Sequence, residues 1–173
     1  MIYHGRVRAR GMLVAVMVAS LVGCAARKPI EERTTQGPTA RALWAWRMTS
    51  ELGRPPTFEE RRHFDDALEQ RIARYMAEHP EDASALGLAA LRLDGQVSVG
   101  MSRAQVAALL GPPVSHTADA AAMERQAGRF WPEIEPRARA AWTYPLGWTL
   151  YFGEEERVVD ITRLQTPGKD DGS

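Results

Sequence analysis

Along the chain, apolar positions recur with a helical period in the first half and a strand period in the second. Phe64, Leu68, Ile72, Tyr75 and Met76 share one helical face, while Glu59, Arg62, Asp66, Glu69 and Arg74 occupy the other, which should be solvated. Thr57 with Glu60 three residues on forms a capping box, and Pro55-Pro56 cannot extend the helix backwards. The pattern therefore predicts a helix from Phe58 until His79-Pro80 interrupts it. Ahead of it, residues 40–52 (ARALWAWRMTSEL) predict a short helix ended by Gly53-Arg54-Pro55-Pro56. Trp44 and Trp46 are expected either at a membrane interface or, more in keeping with aromatic burial, against the next helix. Glu81 and Asp82 suit the first turn of a further helix through Leu86, Leu88, Leu91 and Leu93 to the Asp94-Gly95 stop.

Residues 95–113 are the most fully specified locally. Ser102 and Gln105 can cap each other, Met101 can staple onto Val106, and Gly111-Pro112-Pro113 forbids continuation, so a helix is expected over about 103–110. A long segment from Val114 to about Ala140 has ambiguous, partly helical content. Trp142 and Tyr144 then alternate with Ala141 and Thr143, and Trp148, Leu150 and Phe152 with Thr149 and Tyr151. Pro145-Leu146-Gly147 suits a three-residue hairpin loop built on a type I turn. After the polar turn 153–156, Arg157 to Leu164 reads as a third strand with Val159 and Ile161 on one face. The expected fold class is α+β: N-terminal helices, a short capped helix and a three-stranded antiparallel meander in two layers, with the helices covering one face of the sheet. A polar tail occupies 165–173.

Composition changes the picture mainly at the amino terminus. The 173 residues carry 22 basic and 22 acidic side chains, with 45% hydrophobic and 25% charged residues, the make-up of an ordinary globular domain. Arg6, Arg8 and Arg10 precede Cys24 with no acid among them, so the remainder holds 19 basic and 22 acidic residues, a net of −3. Such a surface does not gather phosphate backbones, which argues against nucleic acid as a partner. A lone cysteine excludes an internal disulfide and a multi-thiolate metal site.

Residues 1–10 are basic and 11–23 (GMLVAVMVASLVG) are uncharged and mostly apolar, the n-region and h-region of a secretory signal. Thirteen helical residues reach about 20 Å, short of a hydrocarbon core of roughly 30 Å. Leu21-Val22-Gly23-Cys24 resembles the lipobox of bacterial lipoproteins. That resemblance implies that residues 1–23 are a removable signal, that the Cys24 thiol carries lipid, and that the protein is anchored to a membrane without spanning it. Ala25, where an aspartate would retain enteric lipoproteins on the inner membrane, implies the periplasmic face of the outer membrane, with the inner membrane as the alternative. The polar residues 24–39, with Pro29, Gly37 and Pro38, are expected to be a flexible tether with a span of roughly 20 Å.

Val99-Gly100-Met101-Ser102, Gln105-Val106, Leu109-Leu110-Gly111-Pro112-Pro113, Trp142-Thr143-Tyr144, Leu150-Tyr151-Phe152 and Val158-Val159 together resemble the SmpA/OmlA (BamE-like) domain family of bacterial envelope lipoproteins. The likeness covers residues 95–164, behind a helical region at 40–94. It implies a helix-on-sheet fold and a non-enzymatic accessory or scaffold role in the outer-membrane envelope, in association with β-barrel assembly. The 114–140 segment is longer than that family leads one to expect, so none of its lipid-binding or partner-binding residues is carried over.

Chemistry-bearing patterns are sparse. Glu59 and His63 are spaced i, i+4 but lack a third ligand, Ser115-His116 are sequence neighbours, and Glu154-Glu155-Glu156 lacks the spaced oxygens of a calcium loop. No phosphate loop or dinucleotide fingerprint occurs, so no cofactor, no metal and no enzymatic activity is expected. The candidate partner-binding residues are Phe130, Trp131, Trp142, Tyr144, Trp148 and Tyr151, part of which must be core. The alternatives are a periplasmic ligand-binding or enzyme-inhibitor lipoprotein, and last an enzyme using the 114–140 segment as a lid. Convergence of His116, Glu124, Arg125 and Glu133 on one pocket would favour a ligand or substrate site.

Overall fold

The computed structural model describes residues 30–80 and 95–165. The signal, Cys24, the expected helix over 81–93 and all but the first residue of the polar tail lie outside them. The described residues form an α+β fold. A five-stranded antiparallel sheet has the order β1-β7-β6-β5-β4, beside a two-stranded β2-β3 pair. The strands are β1 (Ile30–Thr34), β2 (Gln36–Thr39), β3 (Gln96–Ser98), β4 (Ser115–Thr117), β5 (Ala140–Tyr144), β6 (Trp148–Phe152) and β7 (Val158–Gln165); the helices are α1 (Ala40–Leu52), α2 (Phe58–Glu78), α3 (Arg103–Leu110), α4 (Ala120–Ala127) and a final turn α5 (Trp131–Ile134) entered through a 3-10 turn at Gly128–Phe130.

The helix signals act as their chemistry requires. Thr57 and Glu60 form a reciprocal capping box on α2, and Ser102 and Gln105 form one on α3. Thr39 caps α1 by accepting from the Ala42 amide, and Gly53 closes it in the left-handed conformation at φ 67°. The α2 face read from the sequence packs as expected, with Ile72 and Tyr75 buried and Phe64, Leu68 and Met76 half-buried against the main core.

Five expectations need correction. First, residues 30–39 are not a tether. Every β1 residue pairs with β7 from Ile30↔Gln165 to Thr34↔Ile161, and β2 pairs with β3. Gly37 and Pro38 are buried, and a Cβ on Gly37 would stand 3.4 Å from both Val97 and Ile161, so glycine permits close approach of two strands where its sequence context reads as a breaker. Second, the meander β5-β6-β7 is extended on both sides, by β1 and by β4, giving five strands instead of three. Third, the sheet is covered on both faces. Leu150, Phe152, Tyr144, Val158 and Ile161 face α1, α2 and α3, while Ala141 and Tyr151 face Met123, Ala127, Trp131 and Ile134 from α4 and α5. The 114–140 segment is thus a structural layer.

Fourth, Val159 and Ile161 lie on opposite faces. Tyr151 pairs with Asp160 but Phe152 with Val158, so Val159 is an extra residue in a bulge that shifts the alternation by one. Fifth, the 145–147 loop has Leu146 at φ 62° and Gly147 at φ 77°, whereas a type I turn would hold Leu146 at negative φ.

Candidate functional site

The six aromatic candidates divide into core and margin. Tyr151 is fully buried, its hydroxyl 3.3 Å from Thr162 Oγ1, and burial pushes its pKa up to about 12. Tyr144 is buried and donates its hydroxyl to the Gly111 carbonyl at 3.0 Å, tying β5 to the end of α3; burial raises its pKa well above the usual tyrosine value. Trp131 is 8% exposed inside the α4–α5 layer. These three are therefore packing residues, because each ring closes one of the two cores and presents no face to a partner.

Phe130, Trp142 and Trp148 are half-buried and each meets a guanidinium. Arg129 lies 4.9 Å from the Phe130 ring centroid, Arg103 5.7 Å from Trp142 and Arg163 5.1 Å from Trp148. Arg103 also lies over Phe152 at 5.1 Å and pairs with Glu156 at 2.5 Å. Trp142 and Trp148 sit on the α1–α3 side of the sheet at its margin, so the surface there is an aromatic edge shaded by cations.

Convergence of the four pocket candidates does not occur. His116 pairs opposite Trp142 and shares its face, whereas α4, which carries Glu124 and Arg125, packs on the other. Glu133 is taken by Arg33. Ser115 and His116 are consecutive on β4 and point to opposite faces, which excludes a nucleophile–base pair between them; the Ser115 hydroxyl instead meets Thr143 Oγ1 at 2.5 Å. Glu154 pairs with Arg139 at 2.9 Å and Glu156 with Arg103, so the acidic turn is an ion-paired corner. Among the described residues no three His, Cys, Asp or Glu side chains come together to hold a metal ion, and no helix is long and apolar enough to cross a membrane.

Two arrangements escaped sequence reading. One is an ion cluster under β1. Asp160, 4% exposed, accepts from Arg33 Nε at 3.0 Å and Nη2 at 2.8 Å, from Arg137 Nη2 at 2.5 Å and from the Ile161 amide at 3.0 Å. The Asp160 hydrogen bond raises the Arg33 pKa further. Arg33, the Glu133–Arg137 segment and Asp160 are far apart in the chain; the pairing of β1 with β7 brings Arg33 to Asp160, and the segment after α5 brings Arg137.

The other is a cleft of about 390 Å³ between α1, α2 and α3. Its apolar floor includes Leu43, Leu109 and Leu110, and one wall is the Trp44–Phe64 stack, with centroids 4.6 Å apart and planes 15° from parallel. Trp44 therefore packs against α2. Its polar rim holds Arg47, Gln70, Arg71 and Arg74 and no acid. Arg71 is half-buried, which lowers its pKa; its Nη2 donates to the Leu109 carbonyl at 3.4 Å and its Nε has no partner among the described residues. Arg71 and Arg74 are three apart on α2, but Arg47 joins them only through the α1–α2 crossing.

Comparison with protein-family models, curated proteins and solved structures finds no match. The likenesses to a lipobox and to the SmpA/OmlA domain rest on the quoted residues.

Proposed function

We propose that the chain is a bacterial lipoprotein, acylated at Cys24 and exposed to the periplasm from the outer membrane, that serves as a non-enzymatic accessory or scaffold through protein contacts, with β-barrel assembly components as the partners. The observation that carries this reading is the closeness of the lipobox to the folded unit. From Cys24 to the first residue of β1 there are six residue steps, at most about 20 Å of fully extended chain. Acyl chains on Cys24 would hold the β1 edge of the sheet close to the lipid headgroups, and two or more chains give stable anchoring. The domain would be apposed to the membrane, with little freedom to reach partners farther away.

The order β3, capped α3, β5, β6 and β7 is what supports the SmpA/OmlA likeness over residues 95–164. The contact surface in this proposal is the margin with Trp142 and Trp148 on the α1–α3 side of the sheet; Phe130, also half-buried, lies on the other side.

The test is co-purification from gently solubilised envelopes, comparing wild type with Cys24→Ala and Trp148→Ala and identifying bound proteins by mass spectrometry. Barrel-assembly proteins should be recovered with wild type, lost with Cys24→Ala, and reduced with Trp148→Ala while membrane attachment persists. Recovery of nothing beyond background from lipidated, folded wild type would overturn the scaffold role.

A further inference from the structure

We propose that the cleft between α1, α2 and α3 is a binding site for a small phosphate- or carboxylate-bearing ligand with an aromatic or alkyl substituent. Charge is the first ground. Arg47, Arg71 and Arg74 line one cavity with no acidic residue in its lining, and none of the three has a carboxylate partner among the described residues. Elsewhere among the described residues Arg33, Arg41, Arg54, Arg62, Arg103, Arg129, Arg137 and Arg139 each hold a carboxylate, while Arg61 and Arg157 donate to backbone carbonyls. Three arginines lining one hollow offer an anion bidentate, charge-assisted hydrogen bonds.

Donor capacity is the second ground. Arg71 is half-buried at the base of the rim, its Nε is out of contact with solvent and unpaired, and its one bond to the Leu109 carbonyl is long at 3.4 Å. A buried donor left without a partner is destabilising, and an acceptor seated in the cleft could satisfy it. Shape is the third. The volume of about 390 Å³ falls within the range of small-molecule sites, and the stacked Trp44 and Phe64 with Leu43, Leu109 and Leu110 give the inner part an apolar lining. The anionic head belongs at the Arg47–Arg71–Arg74 rim and the apolar substituent against Trp44 and Phe64. The cleft is independent of the anchor at Cys24, so failure of either idea leaves the other standing.

The probes are phenyl phosphate, inorganic phosphate and benzyl alcohol, titrated calorimetrically into the full chain in non-ionic detergent. Arg47 and Arg74 are exposed, so Arg47→Gln and Arg74→Gln should leave the circular dichroism spectrum and melting temperature unchanged; Arg125→Gln on α4 is the control. Phenyl phosphate should bind saturably and more weakly as salt rises, and about tenfold more weakly in either cleft variant but not in the control. Inorganic phosphate and benzyl alcohol should each bind less tightly than phenyl phosphate, since each carries one half of the recognised chemistry. The assignment is overturned by non-saturable binding, by equal affinity in wild type and the Arg47→Gln/Arg74→Gln double variant, or by an equal loss in Arg125→Gln. Equal binding of inorganic and phenyl phosphate would overturn the apolar half of the ligand.

Discussion

Replacing Asp160 by Asn tests how an edge strand with no hydrophobic signature is held to the sheet. The carboxylate is buried and receives Arg33 through Nε at 3.0 Å and Nη2 at 2.8 Å and Arg137 through Nη2 at 2.5 Å. Asparagine preserves the volume and can still accept from the Ile161 amide through Oδ1, but it removes the charge and turns amide hydrogens toward Nη2 of both Arg33 and Arg137. Breaking a buried pair by removing one partner costs about 3–5 kcal/mol when the other charge stays buried. Here the Arg33 and Arg137 side chains are 28% and 49% exposed, so both can recover part of their hydration. The expected loss is therefore about 2–4 kcal/mol. With a urea m-value of about 2 kcal/mol/M, the midpoint should fall by about 1–2 M. Arg33→Met should cost less, because Arg137 still faces Asp160, and the double variant should cost less than the two singles together. Amide exchange in β1 should quicken in both singles. A urea midpoint within about 0.3 M of wild type, or strict additivity in the cycle, would refute the claim that this cluster clamps β1.

Trp131→Ala should cost about 3–5 kcal/mol by emptying the α4–α5 core, read as a drop in urea midpoint; an unchanged midpoint would return Trp131 to the surface. Arg54 and the Thr57 amide hold the Glu60 carboxyl down to about 2 from its ordinary 4.5. A lowered folded-state pKa means that the capping box contributes fully above pH 4.5 and is lost as pH falls toward 2; a carboxyl NMR titration of Glu60 centred near 4.5 would contradict it. Tyr151 runs the opposite way. Its neutral form is favoured up to about 12, so its contribution is present below pH 10 and is lost as pH rises from 10 toward 12. Absorbance at 295 nm should show Tyr144 and Tyr151 ionising only with unfolding.

Legibility in the sequence followed the range of the interactions concerned. α2 and α3 were readable because their caps, stops and apolar faces lie within a few residues of one another: Thr57 with Glu60, Ser102 with Gln105, Gly111 before two prolines. α1 was readable from its Gly53-Arg54-Pro55-Pro56 stop, while its cap, Thr39, was not. The β5–β6 hairpin was readable from alternation. β1 was not, since Ile30-Glu31-Glu32-Arg33-Thr34 reads as solvated and becomes a strand only by pairing with β7 and placing Arg33 against Asp160. The bulge at Val159 was equally hidden, because a one-residue slip leaves no mark in composition. Of the candidate site residues, ring type alone could not separate Tyr144, Trp131 and Tyr151 from Phe130, Trp142 and Trp148; that division follows from which side of the sheet each strand position faces and what covers it. The arginine cleft was hidden for a related reason, as it exists only where α1 crosses α2 and α3.

The most direct measurement for the membrane-anchored account is the intact mass and phase partitioning of the chain expressed with residues 1–23 in place in a bacterial host. The account predicts a protein beginning at Cys24, heavier than residues 24–173 by a diacylglyceryl group and any further acyl chain, that enters the detergent phase, with Cys24→Ala losing both properties. An unmodified mass, or a processed chain that begins elsewhere and stays in the aqueous phase, would contradict it.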